Sequence, residues 1–79
     1  MLILRKKEIT ENKISYYYDP NGSGKEGIIN YYPKDKVREV EKHSTDEYDC
    51  LGIDISHAFM AIQTYIRKND FPEMDLIKW

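Results

Sequence analysis

The sequence has a single cysteine and no long apolar run, and each shortage excludes a class of protein. One cysteine cannot form an internal disulfide, so a disulfide-stapled secreted scaffold is excluded and a reducing interior is favoured. No run approaches the roughly 18 apolar residues of a membrane span. The segment Met1–Lys7 has its apolar stretch before its basic one and lacks the h-region of a signal peptide. We therefore predict a cytoplasmic protein with no membrane segment, and 79 residues are too few for a multidomain enzyme.

Two ligand-binding motifs are begun but not completed in the loop over residues 19–26. A phosphate-binding loop needs Gly and Ser or Thr at the positions that Asp19 and Glu26 occupy, and a carboxylate at Glu26 would repel phosphate. A calcium loop could begin at Asp19, but it needs a bidentate Glu where this chain has Asn30. Turn chemistry explains the same residues, since Pro, Asn and Gly favour a chain reversal.

Histidine and cysteine are too few and too scattered for a metal or nucleophile site. Zinc takes four ligands, usually spaced as C-x-x-C or H-x-x-x-H, and Cys50, His43 and His57 show neither spacing. A Cys–His pair would require the fold to bring Cys50 and His57 together, and Cys50 is more simply a small hydrophobe at the start of a helix. We predict no catalytic residue, no metal site and no cofactor, and therefore no enzyme.

The first half of the chain is rich in β-branched, aliphatic and aromatic residues, which predicts strands. Three strands are expected at Leu2–Ile9, Ile14–Tyr18 and near Gly27–Tyr32, with the strongest turn signal at Asp19–Gly24. The segment Lys36–Lys42 carries alternating charge, which is typical of an edge strand, although two valines three residues apart also fit a helical turn. We favour the edge strand.

The second half predicts one helix from about Ile53 to Lys68. Asn69 is a natural helix stop, and Pro72 cannot continue the helix. The tail Met74–Trp79 either adds a strand or packs its Trp. A stripe about 120° wide would face the core; its residues are Leu51, Ile55, Ala58, Phe59, Ile62, Tyr65 and Ile66. We therefore predict one α+β domain over residues 1–79, in which an antiparallel three- to four-stranded meander is packed on one face by a single C-terminal helix.

The runs Ile14–Ile29 and Asp54–Pro72, together with the terminal Trp79, resemble a type of small uncharacterised single-domain protein found in low-GC Gram-positive bacteria. The resemblance covers most of the chain and rests on an aromatic-rich hairpin and a terminal helix. It implies the same α+β fold and a bacterial origin. No activity, cofactor or site residue is attached to it.

Strand alternation divides the apolar residues of the predicted sheet between its two faces. The core set is Leu2, Leu4, Ile14, Tyr16, Tyr18, Ile29 and Tyr31. One helix can cover one face only, so the second apolar set has no partner within the chain. This second set is Ile3, Tyr17, Ile28 and Tyr32, and the helix has two apolar residues on its side away from the core, Ile53 and Met60. Together these six residues form the candidate interface. We predict a small cytosolic protein-binding or self-associating module, a homodimer in the simplest case, because a contiguous exposed apolar patch marks an interaction site.

The alternative function is a nucleic-acid-associated accessory protein. Bases would stack on Tyr17 and Tyr32, while Arg5 and Lys7 on the same alternating face would contact phosphates. The net charge of −2, from 12 Lys and Arg against 14 Asp and Glu, disfavours this alternative because a basic footprint is expected.

Overall fold

The computed structural model describes residues 1–45 and 53–78. Five strands and one helix follow one another in the order β1 (Leu2–Ile9), β2 (Ile14–Pro20), β3 (Gly27–Tyr32), β4 (Val37–Lys42), α1 (Ile53–Lys68) and β5 (Met74–Ile77). The strands form one antiparallel sheet in the spatial order β4-β3-β2-β1-β5. The predicted α+β fold is confirmed, with five strands where three to four were predicted.

The fifth strand comes from the tail, for which the sequence left two alternatives. The chain leaves α1, returns to the open edge of β1 and pairs there, with Leu76 opposite Ile3. Four residues are too short for a clear alternating pattern, so only the position of the neighbouring strand decides their structure. At the other edge, β4 is the predicted edge strand, and the helical-turn alternative for this segment was wrong.

The helix begins at Ile53 and ends at Lys68, as predicted. Asn69 adopts the left-handed conformation (φ 52°). Its N–H donates to the carbonyl of Ile66 at 3.1 Å, and the N–H of Asp70 donates to the carbonyl of Tyr65 at 3.1 Å. These two bonds form a Schellman motif, which satisfies carbonyls that the helix end leaves without partners.

The core lies between α1 and the sheet face that it covers, which we call the inner face. All seven strand residues predicted for the core are buried. On the helix, Ala58, Phe59, Ile62 and Tyr65 are buried, and the flanking Ile55 and Ile66 pack half-buried against them, while the predicted Leu51 lies outside the described residues.

Candidate interaction surface on the outer sheet face

The opposite side of the sheet, which we call the outer face, carries the predicted interface residues of the strands. Ile3, Tyr17, Ile28 and Tyr32 all alternate with core residues and lie there, half-buried. Two further predicted residues are on α1, on the side turned away from the core: Ile53 and Met60, which are 43% and 57% exposed. The fold therefore separates the six residues into two surfaces on opposite sides of the molecule.

A buried polar network occupies the part of the outer face over β2, β3 and β4. Asn30, which is 1% exposed, accepts a hydrogen bond from the Ser15 hydroxyl at 2.6 Å. Its amide nitrogen donates to Glu39 at 2.8 Å and to Glu41 at 3.0 Å. The Tyr32 hydroxyl donates to the same oxygen of Glu39 at 2.9 Å. Every polar group of the Asn30 side chain is thus used, which is what a buried amide requires.

This network fixes the ionisation of its outer members. The hydrogen bonds from Asn30 and Tyr32 hold the pKa of the Glu39 carboxyl below its ordinary value. The bond that Tyr32 donates to Glu39 in turn raises the pKa of the Tyr32 hydroxyl. Tyr32 is therefore a neutral donor committed to Glu39 at physiological pH.

The middle of the outer face is covered by an ion pair. The Arg5 guanidinium makes two hydrogen bonds to the carboxylate of Glu26, at 2.7 and 3.0 Å. Its Cζ lies 4.2 Å from the centroid of the Tyr17 ring, which is the geometry of a cation–π contact. Arg5 and Tyr17 are direct cross-strand neighbours, and Ile28 follows Tyr17 in the same row. The guanidinium thus covers the Tyr17 ring, which the sequence analysis expected to be uncovered.

The remaining part of the outer face, at the edge formed by β1 and β5, is apolar. Leu76 lies directly opposite Ile3, and Met74 is the next outer-face residue along β5. The side chains of Met1 and Ile3 converge on Gly22, where an added Cβ would lie 3.3 and 3.2 Å from them. Met1, Met74 and Leu76 are 49%, 64% and 49% exposed. We call these four residues, Met1, Ile3, Met74 and Leu76, the apolar strip.

Sequence reasoning found only Ile3 among the members of the apolar strip. Met74 and Leu76 were missed because the tail had no assigned structure and its four strand residues, Met-Asp-Leu-Ile, show no clear alternation. Met1 was missed because a terminal residue carries no pattern of its own.

Hydrogen bonds on the inner face anchor β5 and the connection before it. The Tyr65 hydroxyl of α1 donates to the carboxylate of Asp75, and the Tyr16 hydroxyl donates to the carbonyl of Pro72 at 2.8 Å. The two tyrosine rings pack with their centroids 5.5 Å apart. The strand that carries half of the apolar strip is therefore bound to both the sheet and the helix.

Burial of these two tyrosines predicts a loss of stability in alkali. Burial, reinforced by the carboxylates of Glu73 and Asp75, raises the pKa of Tyr16 to about 12. Burial and the bond to Asp75 also raise the pKa of Tyr65. Since an unfolded tyrosine ionises near pH 10, the neutral form favours the fold, and its contribution is complete below pH 10 and decreases as the pH rises towards 12.

We expect the melting temperature to fall between pH 10 and 12 together with the appearance of tyrosinate absorbance. Tyr16→Phe, which cannot ionise, should reduce the slope of this fall. Equal slopes for the two proteins would contradict the assignment to Tyr16.

The connection over residues 21–26 is a turn, as predicted, while Asp19 and Pro20 continue β2 beyond the predicted end at Tyr18. Both oxygens of the Asp19 carboxylate accept the N–H of Gly24, at 3.0 and 3.2 Å, and Asn21, Gly22 and Gly24 have positive φ.

Within residues 1–45 and 53–78 no three His, Cys, Asp or Glu side chains are grouped closely enough to hold a metal ion. Cys50 lies outside these ranges.

Comparison of the chain with protein-family models, with curated protein sequences and with solved structures found no match. The resemblance to small proteins of low-GC Gram-positive bacteria therefore stays a prediction. Among the described residues no helix has the length and the apolar composition needed to cross a bilayer.

Proposed function

We propose that this chain is a small cytoplasmic module without catalytic activity that binds protein, in the first place a second copy of itself. The observation that supports the proposal is the apolar strip, in which Met74 and Leu76 of β5 and Met1, just before β1, are 49–64% exposed. Scattered exposed apolar residues are ordinary, but a contiguous exposed group is the usual mark of a contact surface.

The contact surface that we propose is narrower than the whole outer face. Tyr17 lies under the guanidinium of Arg5, and the Tyr32 hydroxyl is bound to Glu39. A partner that buried Tyr17 fully would have to displace Arg5 from Glu26 or bury the pair, and burying charges is costly. The four residues of the apolar strip have no charged side chain to bury. The strip therefore forms the centre of the proposed surface, with Tyr17 and Ile28 at its rim.

The nucleic-acid alternative gains no support from this geometry. Stacking of a base on Tyr17 would require the guanidinium to leave, and Arg5 is already neutralised by Glu26. At Tyr32, the hydroxyl is bound to Glu39, and the charges of Glu39 and Glu41, which act on this hydroxyl, repel phosphate. A protein surface is therefore the better proposal.

The proposal is tested by measuring the solution mass as a function of concentration. We expect sedimentation or light scattering to give a mass approaching twice 9.4 kDa at high micromolar concentration. Leu76→Lys should shift the protein to monomer, because it places a charge in the apolar strip. Met60→Lys is the matched control, since Met60 is similarly exposed on the opposite side of the molecule, and it should leave the mass unchanged.

Circular dichroism should show an intact helix in both variants. A wild-type mass of 9.4 kDa at high micromolar concentration would overturn the proposal. So would equal effects of the two substitutions.

A further inference from the structure

The two edges of the sheet differ in how they are protected against pairing with another strand. The sequence of β4 is charged at four of its six positions, and its pairing with β3 contains a register shift, both of which discourage edge-to-edge contact. In β5 the one charged residue, Asp75, points inward and accepts a hydrogen bond from Tyr65. The charged residues and the register shift therefore discourage another strand from pairing with β4, and β5 has neither protection.

Among the described residues no strand pairs with β5 on the side away from β1, and backbone alternation identifies which groups of β5 face this open edge. The N–H of Lys6 donates to the carbonyl of Glu73 at 2.8 Å, so these two residues form a hydrogen-bonded pair between the strands. Continuing by two residues, Asp75 and Ile77 direct their backbone groups towards β1. Met74 and Leu76 therefore direct theirs towards the open edge, while their side chains lie in the apolar strip.

Geometry and charge restrict how a second β5 could pair with this edge. In an antiparallel pair about a twofold axis, outward-directed residues must lie opposite one another, and two such registers are centred on the interior residues of β5, Asp75 and Leu76. One places Asp75 opposite Asp75 of the second copy, and like charges directly opposite are destabilising. The other places Leu76 opposite Leu76 and Met74 opposite Lys78, so that apolar surface and the aliphatic stem of the lysine meet.

We infer that two copies of this chain join through antiparallel pairing of β5 with β5, in the register that sets Leu76 opposite Leu76. The two five-stranded sheets then form one continuous sheet, and the two apolar strips become neighbours on its outer face. The inference rests on the proposed self-association and adds its geometry. Because only residues 74–78 of each copy pair, the interface is small, and we expect association in the micromolar range.

Cysteine cross-linking tests the register, in chains that carry Cys50→Ser. Leu76→Cys should form a disulfide dimer under mild oxidation, because opposed residues of a hydrogen-bonded pair have Cα atoms about 5.5 Å apart, within disulfide reach. Met74→Cys should not, since its two copies would be offset by four residues, about 13 Å along the strand. Val37→Cys, at the opposite edge of the sheet, is the control for random collision and should remain uncross-linked.

Proline substitution tests the backbone contact independently of the side chain. Met74→Pro removes an N–H that faces the open edge at the first residue of β5, a position where proline is tolerated. It should weaken dimerisation at least about tenfold relative to Met74→Ala, which keeps the N–H, because each copy loses one intermolecular hydrogen bond. The melting temperatures of the two variants, measured at concentrations where both are monomeric, should be similar.

The outcomes separate this inference from the proposed function. A dimer that Leu76→Cys does not cross-link, and that Met74→Pro and Met74→Ala weaken equally, would overturn β5 pairing while self-association stands. A disulfide formed only in a mixture of Met74→Cys and Leu76→Cys would establish the register rejected above. A protein that stays monomeric at high micromolar concentration would overturn the proposed function itself.

Discussion

Asn30→Asp is expected to lower the free energy of unfolding by about 3 kcal/mol at neutral pH, although it exchanges one NH₂ group for an oxygen. The amide nitrogen donates to Glu39 and to Glu41, and the residue is 1% exposed. An aspartate at this position would replace the NH₂ group that Glu39 and Glu41 share by an oxygen of a third carboxylate. A domain of this size has a total stability of roughly 4–12 kcal/mol, so chemical denaturation should show a large shift of the midpoint.

The pH dependence of this variant provides its internal check. Burial and two neighbouring carboxylates would raise the pKa of the new carboxyl in the folded state above the unfolded value near 4. The loss of unfolding free energy relative to the wild type is therefore largest at high pH, and it decreases as acid protonates the new carboxylate.

Ser15→Ala is the comparison for Asn30→Asp, because it removes one hydrogen bond to Asn30 without adding charge. Ser15→Ala should lower the free energy of unfolding by only about 1 kcal/mol. A pH-independent deficit for Asn30→Asp would contradict the electrostatic explanation.

Gly27→Ala is expected to cost about 3 kcal/mol in the free energy of unfolding. A Cβ at this position would lie 2.4 Å from Cε1 of Tyr18 and 2.6 Å from the backbone oxygen of Lys42. The ring cannot simply move aside, because it is fully buried and its hydroxyl accepts the N–H of Ser44 at 3.0 Å. The strand must therefore shift, or the core around Tyr18 must be repacked.

Gly24→Ala separates this steric effect from the general loss of a glycine. Within the described part of the chain no atom beyond the two neighbouring residues lies within 4 Å of a Cβ at Gly24, but φ is +84°, so the substitution should cost only the roughly 1–2 kcal/mol of a left-handed conformation. Thermal or chemical unfolding measures both variants. A smaller loss for Gly27→Ala than for Gly24→Ala would show that Tyr18 and Lys42 can accommodate the added methyl group.

The sequence by itself determined the elements and the core. Alternation in β1, β2 and β3 assigned Leu4, Tyr16 and Ile29 to the buried face, and the helical period assigned Phe59 and Ile62 to the same core. These assignments depend on which side chains share a face along one element, and that is fixed by the local periods of about two and 3.6 residues.

Only the tertiary structure decided which part of the outer face is apolar and open. The pairing of β5 with β1 sets Leu76 beside Ile3, the β1–β2 register sets Arg5 over Tyr17, and the turn after β2 allows Glu26 to reach Arg5 across 21 residues. Strand order and register bring together residues that are remote in the sequence, and no local period specifies such pairs. The same long-range placement buried Ser15 and Asn30 in a polar network on the outer face.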